Sequence, residues 1–390
     1  MLVVKDGNVW TAGKPARPAT IVVEGNRIRA VLEPGEPFEI PADATVIDAR
    51  GKTVMPGLIN AHTHICMGAR PDPMAAVRDG TLMMAYRAAA NAQRTISNGI
   101  TTIRDLGAPD GVDLALKRAI EEGTLKGPRM LVAGKSICMT GGHGFYMGCE
   151  VDGADEARKA ARQQLKAGVD VIKVMATGGV LTPGVEPGSP QLTVEELRAA
   201  IEEAHKAGRR TATHAQGTTG IANAIEAGVD SVEHGIFLNE KLVELMAEKG
   251  IFYVPTLAAP YYILKGGLAA GIPEFAVRKT ERVWDYHRAS FQLALKSGVR
   301  IGVGTDAGTP LNPHGTITVE LELMVECGMR VADALAAATL VNAQCLGIDD
   351  RLGSIEAGKL ADIIVVGGNP LEDLKALDRV VTVIKDGIVV

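Results

Sequence analysis

The feature of this 390-residue chain that most constrains its fold is a regular alternation in its central part. Short apolar runs recur there, and each is followed by a stretch rich in Ala, Glu, Lys and Arg and then by a Gly. Strands that are apolar on both faces and alternate with helices favour a parallel sheet covered on both sides. The eight predicted strands are Val54–His64, Thr101–Gly107, Met130–Ile137, Asp170–Met175, Arg209–His214, Ser231–His234, Gly250–Thr256 and Arg300–Asp306. Eight such units predict one α/β domain, a (β/α)8 TIM barrel, over residues 56–351.

The two ends of the chain differ from this centre and resemble each other. Residues 1–55 and 352–390 hold short β-branched runs that are separated by Asp-Gly and Gly-Asn turns. The opening phrase Val4–Val9 and the closing phrase Ile384–Val389 are nearly the same. We therefore expect both termini to build one small β-sandwich domain beside the barrel.

Composition excludes several classes of protein. The 41 Lys and Arg residues balance 46 Asp and Glu residues without a long run of one sign, which disfavours nucleic acid or a membrane surface as partner. No apolar stretch approaches the ~18 residues of a membrane span. Asp6 interrupts the N-terminal apolar run where a signal peptide would continue, so we expect a cytoplasmic protein. The five cysteines are scattered, without C-x-x-C spacing, which indicates reduced thiols.

Two histidines end the first predicted strand. His62 and His64 are two residues apart, so their side chains point the same way, at the strand end where a TIM barrel carries its chemistry. Two imidazoles side by side can hold one ion such as Zn²⁺. The alternative is a pair of histidines that only form hydrogen bonds.

Further ligand-type residues stand at the ends of other predicted strands. His214 ends the fifth, His234 the sixth and Asp306 the eighth, while Lys173 lies within the fourth. Because these strand ends share one rim, the side chains converge there. A buried lysine is costly unless it is paired or neutralised. A salt bridge, a Schiff base and carboxylation by CO₂ remain open, and the neighbouring metal-ligand residues favour carboxylation.

Four motifs together give the chain a family resemblance. It resembles the amidohydrolase superfamily, which are metal-dependent hydrolases on a distorted (β/α)8 barrel. The motifs that carry the resemblance are Pro56–His64, Val232–Gly235, Gly304–Gly308 and Gly358–Asp362.

The resemblance implies a centre of two divalent metal ions, with zinc as the expected metal. It implies that His62 and His64 bind one ion, and that a carboxylated Lys173 bridges it to a second. The second ion would be held by His214 and His234. Asp306 would contact the first ion and carry a proton from the activated water to the leaving nitrogen.

Three further segments resemble a narrower branch of the superfamily, that of Xaa-Pro dipeptidases and zinc-dependent arginine carboxypeptidases. They are Met139–Gly144, Lys173–Val180 and Glu320–Met324. The branch implies hydrolysis of a dipeptide or an N-acyl amino acid with release of the C-terminal residue, by a homo-oligomer. The alternatives are a cyclic amide, a lactone or an organophosphate ester as substrate, and an inactive scaffold of the same fold.

The resemblance also suggests residues that contact the substrate. His143 would polarise the substrate carbonyl or bind its carboxylate, although a loop histidine can also bond only to backbone. The other candidates for the pocket are Gly178, Gly179, Tyr261 and His314.

For some side chains the sequence leaves open whether they contact the substrate or have a structural role. Arg70 and Arg104 are candidates to neutralise a substrate carboxylate. Tyr262 and Trp284 lie in the same region as Tyr261, where they form a pocket wall or pack in the core. His287 lies in a predicted helix and is expected to be structural.

Overall fold

The computed structural model describes residues 1–390, the side chain of Ala76 excepted. The β-strands are β1 Leu2–Val9, β2 Arg17–Glu24, β3 Arg27–Leu32, β4 Thr45–Asp48, β5 Thr53–Pro56, β6 Leu58–Thr63, β7 Ile100–Asp105, β8 Arg129–Val132, β9 Ser136–Cys138, β10 Gly148–Glu150, β11 Val171–Met175, β12 Arg210–Ala215, β13 Ser231–His234, β14 Phe252–Val254, β15 Ile363–Val366, β16 Val380–Lys385 and β17 Ile388–Val389. The α-helices are α1 Ala75–Arg78, α2 Gly80–Ser97, α3 Val112–Glu121, α4 Ala154–Ala167, α5 Val194–Lys206, α6 Thr218–Ala227, α7 Glu240–Lys249, α8 Ala258–Gly266, α9 Glu274–Lys296, α10 Thr318–Glu326, α11 Val331–Ala336 and α12 Asn342–Leu346.

Strands from both ends of the chain share one sheet of eight strands. Its order is β17-β16-β15-β5-β1-β2-β3, with β4 paired to β1. β5 lies between β1, to which it is parallel, and β15, to which it is antiparallel. Some of the buried side chains of this sheet, among them Val4, Ile21, Val54 and Ile363, form their own apolar cluster, whereas others such as Met55 and Ile364 belong to the main core. A division of the sheet into the two packed layers of a sandwich stays a prediction.

The central strands pair in parallel and are connected through helices, which confirms the predicted α/β class. They form a six-stranded sheet, β10-β9-β11-β12-β13-β14, and a three-stranded sheet, β6-β7-β8. The predicted third strand is broken in two, because β8 pairs with β7 whereas β9 pairs with β11. A single closed sheet is therefore not formed by regular strands.

The predicted eighth strand is irregular and lies between the two parallel sheets. Residues 300–307 form only isolated bridges, from Ile301 to Tyr253 and from Ala307 to Thr63. The reason is that the amide of Val303, which a neighbouring strand would bind, donates to the Asn342 side chain at 3.0 Å. The segment still bonds to both sheets, since Gly302 N donates to Tyr253 O at 2.8 Å and Ala61 N to Val303 O at 2.8 Å.

The helices follow the sequence signals closely. α5 begins with a capping box, in which the Thr193 side chain accepts from Glu196 N and the Glu196 side chain accepts from Thr193 N. α7 ends at Gly250, whose φ of +67° suits a residue without a side chain. No described helix is both long and apolar enough to cross a membrane.

Candidate metal centre and cavity

The ligand-type residues from the strand ends meet in one cavity. All of them are buried. The cavity lining includes all six of them, which are His62, His64, Lys173, His214, His234 and Asp306. The structure thus brings together every residue that the sequence suggested as a metal ligand.

His62, His64 and Asp306 form the tightest group in this cavity. Asp306 Oδ1 lies 3.5 Å from His62 Nε2 and 3.3 Å from His64 Nε2. Each of the three residues offers one ligand atom, and these three atoms all lie within 4.8 Å of one another. Neither His62 Nε2 nor Asp306 Oδ1 has a hydrogen-bond partner among the described residues. Because buried polar atoms are normally bonded, two such atoms facing each other indicate a missing electrophilic group between them. Imidazole nitrogen and carboxylate oxygen are ligands of divalent transition metals, so a metal ion fits this position.

The irregular segment brings Asp306 to this point. Asp306 has a left-handed φ of 56°, and its amide donates to His62 O at 2.9 Å. Asn60 and Thr305 hold the two segments together through a pair of hydrogen bonds of 2.8 and 3.1 Å. A methyl group on Gly304 would lie 2.6 Å from His62 Cβ, so only glycine permits this approach.

His214 and His234 form a second group next to the first. Their ring centroids are 4.5 Å apart, and the ring of His234 lies 5.0 Å from that of His62. His234 Nδ1 bonds to Thr256 Oγ1 at 2.7 Å and His214 Nε2 to Gly178 O at 3.0 Å, so each ring has its other nitrogen left for a ligand. Burial lowers the pKa of both rings well below the usual value, which keeps them in the neutral form that binds metals.

Lys173 lies on β11 and is buried without an ionic partner. None of the salt bridges among the described residues includes it, so the salt bridge that the sequence left open is not formed. Burial lowers the pKa of its ammonium group to about 8. The neutral amine, which is the form that reacts with CO₂, is therefore more populated near neutral pH than in an exposed lysine.

A buried ion pair between Glu233 and Arg104 holds the ring of His62 from the side opposite the cavity. Glu233 Oε2 lies 2.8 Å from His62 Nδ1, and Glu233 Oε1 accepts from Arg104 Nη2 at 2.8 Å and from Ser231 Oγ at 2.6 Å. Burial opposes ionisation of Glu233, but Arg104 and His62 outweigh it and lower its pKa to about 2. Arg104 also donates to Ala61 O at 2.7 Å, so it is fixed below the rim and is not available to a substrate carboxylate.

Glu233 is a supporting residue that the sequence alone does not reveal. The one indication in the sequence is that Glu233 is a carboxylate within an apolar strand, one residue before the candidate ligand His234. Alternation along a strand shows that Glu233 and His234 point apart, but not which side chain meets Glu233 from another strand.

His143 lines the cavity beside the second group. Its ring lies 4.2 Å from that of His214, and its Nδ1 lies 2.9 Å from Thr182 Oγ1. A methyl group on Gly179 would lie 2.5 Å from His143 Cε1, so the glycine leaves room for this ring. The cavity lining does not include Gly179 or Gly178, which lie behind His143 and His214 rather than at the surface met by a substrate.

The remaining pocket candidates lie outside the cavity. Tyr261 packs edge-on against Tyr262 at 5.5 Å, while the cavity wall from α8 consists of its smaller neighbours Ala259, Pro260 and Ile263. His314 is buried and its Nε2 lies 3.1 Å from Met67 O. Neither residue is part of the described lining.

Arg70 and His287 lie as follows. Arg70 is exposed and pairs with Asp79 at 2.9 Å, and it is not among the lining residues. His287 lies in α9 and its Nε2 bonds to Pro255 O at 2.8 Å, which agrees with a structural role; it also lines the cavity, and its buried Nδ1 has no partner among the described residues. Nothing in the helical sequence around His287 signals this position.

Comparison with known proteins agrees with the geometry. The sequence profile of the amidohydrolase family matches residues 53–390. The chain belongs to the amidohydrolase family. Among curated proteins, this amidohydrolase is 33% identical to ochratoxinase from Aspergillus niger, over 94% of this chain and 81% of that protein.

Solved structures include close matches over the full chain. A Xaa-Pro dipeptidase with methionine bound in its active site is 37% identical and superposes with a TM-score of 0.94, covering 100% of this chain and 99% of that one. A putative prolidase from Bifidobacterium longum is 36% identical with a TM-score of 0.88, over 100% and 94% of the two chains. Family membership makes this amidohydrolase a metal-dependent hydrolase of amide bonds.

Proposed function

We propose that this amidohydrolase uses two divalent metal ions to hydrolyse the amide bond of a dipeptide or an N-acyl amino acid, releasing the C-terminal residue. The observation that carries the proposal is the partnerless pair His62 Nε2 and Asp306 Oδ1, 3.5 Å apart. Two neutral imidazoles and an unpaired buried lysine stand beside it. The similarity to a Xaa-Pro dipeptidase and to a putative prolidase supports an amide substrate of this size.

The residues divide between the two ions as the family resemblance implies. His62, His64 and Asp306 would hold one ion, and His214 and His234 the other. A carboxylated Lys173 would supply the anionic bridge. Divalent ions in this position lower the pKa of water towards neutrality and polarise a carbonyl group, and zinc is the metal that we expect.

Asp306 is suited to proton transfer. Burial opposes its ionisation, but the contacts with His62 and His64 outweigh burial and hold the pKa of Asp306 well below its usual range. The group is therefore a carboxylate at neutral pH, the form that binds a metal ion, and its role as carrier of a proton from water to the leaving nitrogen is the one that the family resemblance implies.

His143 is suited to bind the substrate carbonyl. Thr182 Oγ1 accepts a hydrogen bond from Gly144 N at 3.2 Å, so its hydroxyl proton can be donated to His143 Nδ1. We assign the ring proton to Nε2 on this basis. Burial lowers the pKa of His143 to about 3, so the ring is neutral, and Nε2–H can donate to the carbonyl oxygen.

Two substitutions test the proposal. Lys173→Ala and Asp306→Asn should each abolish turnover of a dipeptide panel while the circular dichroism spectrum stays unchanged. Metal content of each purified variant, measured by mass spectrometry, shows which ligands are lost. Lys117→Ala is the control, since Lys117 pairs with Asp170 in a separate surface cavity. Near-normal activity of either test variant would contradict the proposal.

We also propose that residues 1–55 and 352–390 form one folding unit and residues 56–351 the other, the latter being a distorted barrel. The shared sheet from β17 to β3 and its separate apolar cluster support this division.

A further inference from the structure

The walls of the cavity beyond the ligand-type residues are mostly apolar, although Tyr146, Gln216 and two threonines also line it. They come from the loop after β11, from α8 and from the segments after β6 and β9. The side chains that define these walls are Met67, Met147, Met175, Val180, Leu181 and Ile263. Flexible methionine side chains adapt to different apolar shapes, so these walls suit a range of apolar groups.

The cavity offers no cation to a substrate carboxylate. Among the described lining residues there is no arginine, and the only lysine is Lys173. The nearby cations are engaged elsewhere. Lys279 Nζ donates to Thr182 O at 2.8 Å and to Val185 O, Arg87 pairs with Asp79, and Arg104 pairs with Glu233.

One polar group in the lining calls for a hydrogen-bond donor. Gln216 Oε1 is buried and has no partner among the described residues. A buried acceptor without a donor is costly. The same side chain carries two N–H donors on Nε2, so the amide of Gln216 can meet either a carboxamide or a carboxylate and does not distinguish the two.

These observations bear on substrate class. An ionised carboxylate that enters an apolar cavity loses hydration, and here no side-chain cation replaces it. We propose that this amidohydrolase accepts neutral, apolar amides and does not require a free carboxylate on its substrate. The inference rests on the proposed amide hydrolysis and changes its substrate range: it adds amides without a free carboxylate, and it disfavours a cationic leaving residue such as arginine.

Three matched substrates test the inference. They are N-benzoyl-phenylalanine, N-benzoyl-phenylalaninamide and N-benzoyl-arginine, with release of benzoate by the metal-loaded protein as the readout. We expect kcat/KM of the phenylalanine acid and of its amide to agree within about tenfold, since a charge-assisted contact would be worth more than that. We expect the arginine compound to be the poorest of the three.

The outcomes separate the two proposals. A preference for the acid over the amide of about a hundredfold or more, as one charge-assisted contact can give, would overturn the inference and leave amide hydrolysis standing. Failure to cleave any of the three compounds at full metal occupancy would overturn both proposals.

Two variants of one wall residue provide an independent test of the inference. Val180 is half-buried in the cavity wall, so Val180→Lys places a cation there, and Val180→Gln is a neutral control of similar length. Val180→Lys should shift the acid-to-amide ratio of kcat/KM towards the acid by about tenfold, and Val180→Gln should not. An unchanged ratio in Val180→Lys would show that the wall does not meet the carboxyl end, contrary to the inference.

Discussion

His62 Nδ1 lies 2.8 Å from Glu233 Oε2, and this contact fixes the ring of a candidate metal ligand from the side opposite the cavity. Glu233 is itself held by Arg104 at 2.8 Å, so the orientation of His62 depends on a buried ion pair. Metal-binding histidines commonly donate their second N–H to a carboxylate, which sets the tautomer and the ring angle. The orientation of this candidate ligand therefore depends on Glu233 and Arg104, which do not line the cavity.

Glu233→Gln should therefore weaken metal binding. Loss of the carboxylate leaves Arg104 without its counter-ion and His62 without its orienting partner, and we expect metal affinity to fall by about 10–100-fold. Competition with a chromogenic chelator measures this. Ser231→Ala removes the 2.6 Å bond from Ser231 Oγ to Glu233 and the 3.0 Å bond from Arg104 Nη1 to Ser231 Oγ, but it keeps the Glu233 carboxylate, and it is the control. Equal affinities in the wild type and Glu233→Gln would refute the supporting role.

Thr182→Val should lower kcat more than it changes KM. The substitution removes the hydroxyl that lies 2.9 Å from His143 Nδ1 and accepts from Gly144 N, so the tautomer of His143 is no longer fixed. We expect kcat to fall by about tenfold and the free energy of unfolding by about 1–2 kcal/mol, the usual range for a buried hydrogen bond. Steady-state kinetics and urea unfolding measure the two effects. Thr182→Ser keeps the hydroxyl and should retain activity; an equal loss in both variants would count against the prediction.

Gly179→Ala should act through His143. The added methyl group would meet His143 Cε1 at 2.5 Å, and the ring must move, so we expect kcat/KM to fall. A double-mutant cycle with His143→Ala identifies the cause, because the Gly179→Ala effect should vanish once the ring is absent. Additive losses would instead mean that Gly179 meets the substrate directly, as the sequence first suggested.

Glu320 should make the stability of the protein depend on pH. It is buried on α10 and accepts from Leu257 N at 2.9 Å and Ala258 N at 2.6 Å, where α8 begins. Burial raises the pKa of its carboxyl group from 4.5 to about 8. Between these values the folded protein holds a proton that the unfolded chain has lost, so the contribution of Glu320 to stability falls as pH rises through this range.

Glu320→Gln removes the titrating group and should flatten this dependence. The slope lost is at most about 1.4 kcal/mol per pH unit, which is the value for one proton. Urea unfolding at several pH values across the range measures it. Glu326→Gln is the control, because Glu326 is exposed on the same helix. Parallel stability curves for the wild type and Glu320→Gln would show that another group is responsible.

Much of this organisation could be predicted from the sequence. The α/β class and the amidohydrolase family are confirmed, and the strand ends do bring His62, His214 and Asp306 into one cavity, because parallel strands present the same ends on one side. The metal roles of these residues, the zinc ions, the carboxylation of Lys173 and the homo-oligomer stay predictions.

Other features could not be predicted, for identifiable reasons. The apolar run at 300–306 looks like a strand, but its pairing depends on Asn342, which no local pattern reveals. The sequence shows that Arg104 is charged. It does not show that the Arg104 side chain pairs with Glu233, because Glu233 lies on a distant strand, β13. The contact of Gly179 with His143 joins two loops, and loops carry no periodicity from which to infer a neighbour.

The path of the chain through β5 and β6 has a consequence for biosynthesis. β5 passes through Gly57 directly into β6, which carries His62, yet β5 pairs along one edge with β15 near the C-terminus. During translation, the partner of β5 is therefore made only after the strands that carry the other ligand-type residues. Contacts this distant in sequence form slowly. β5, which leads directly into the strand that bears His62, is anchored on that edge only after nearly the whole chain has left the ribosome, so metal capture is expected to come late in the folding of the nascent protein.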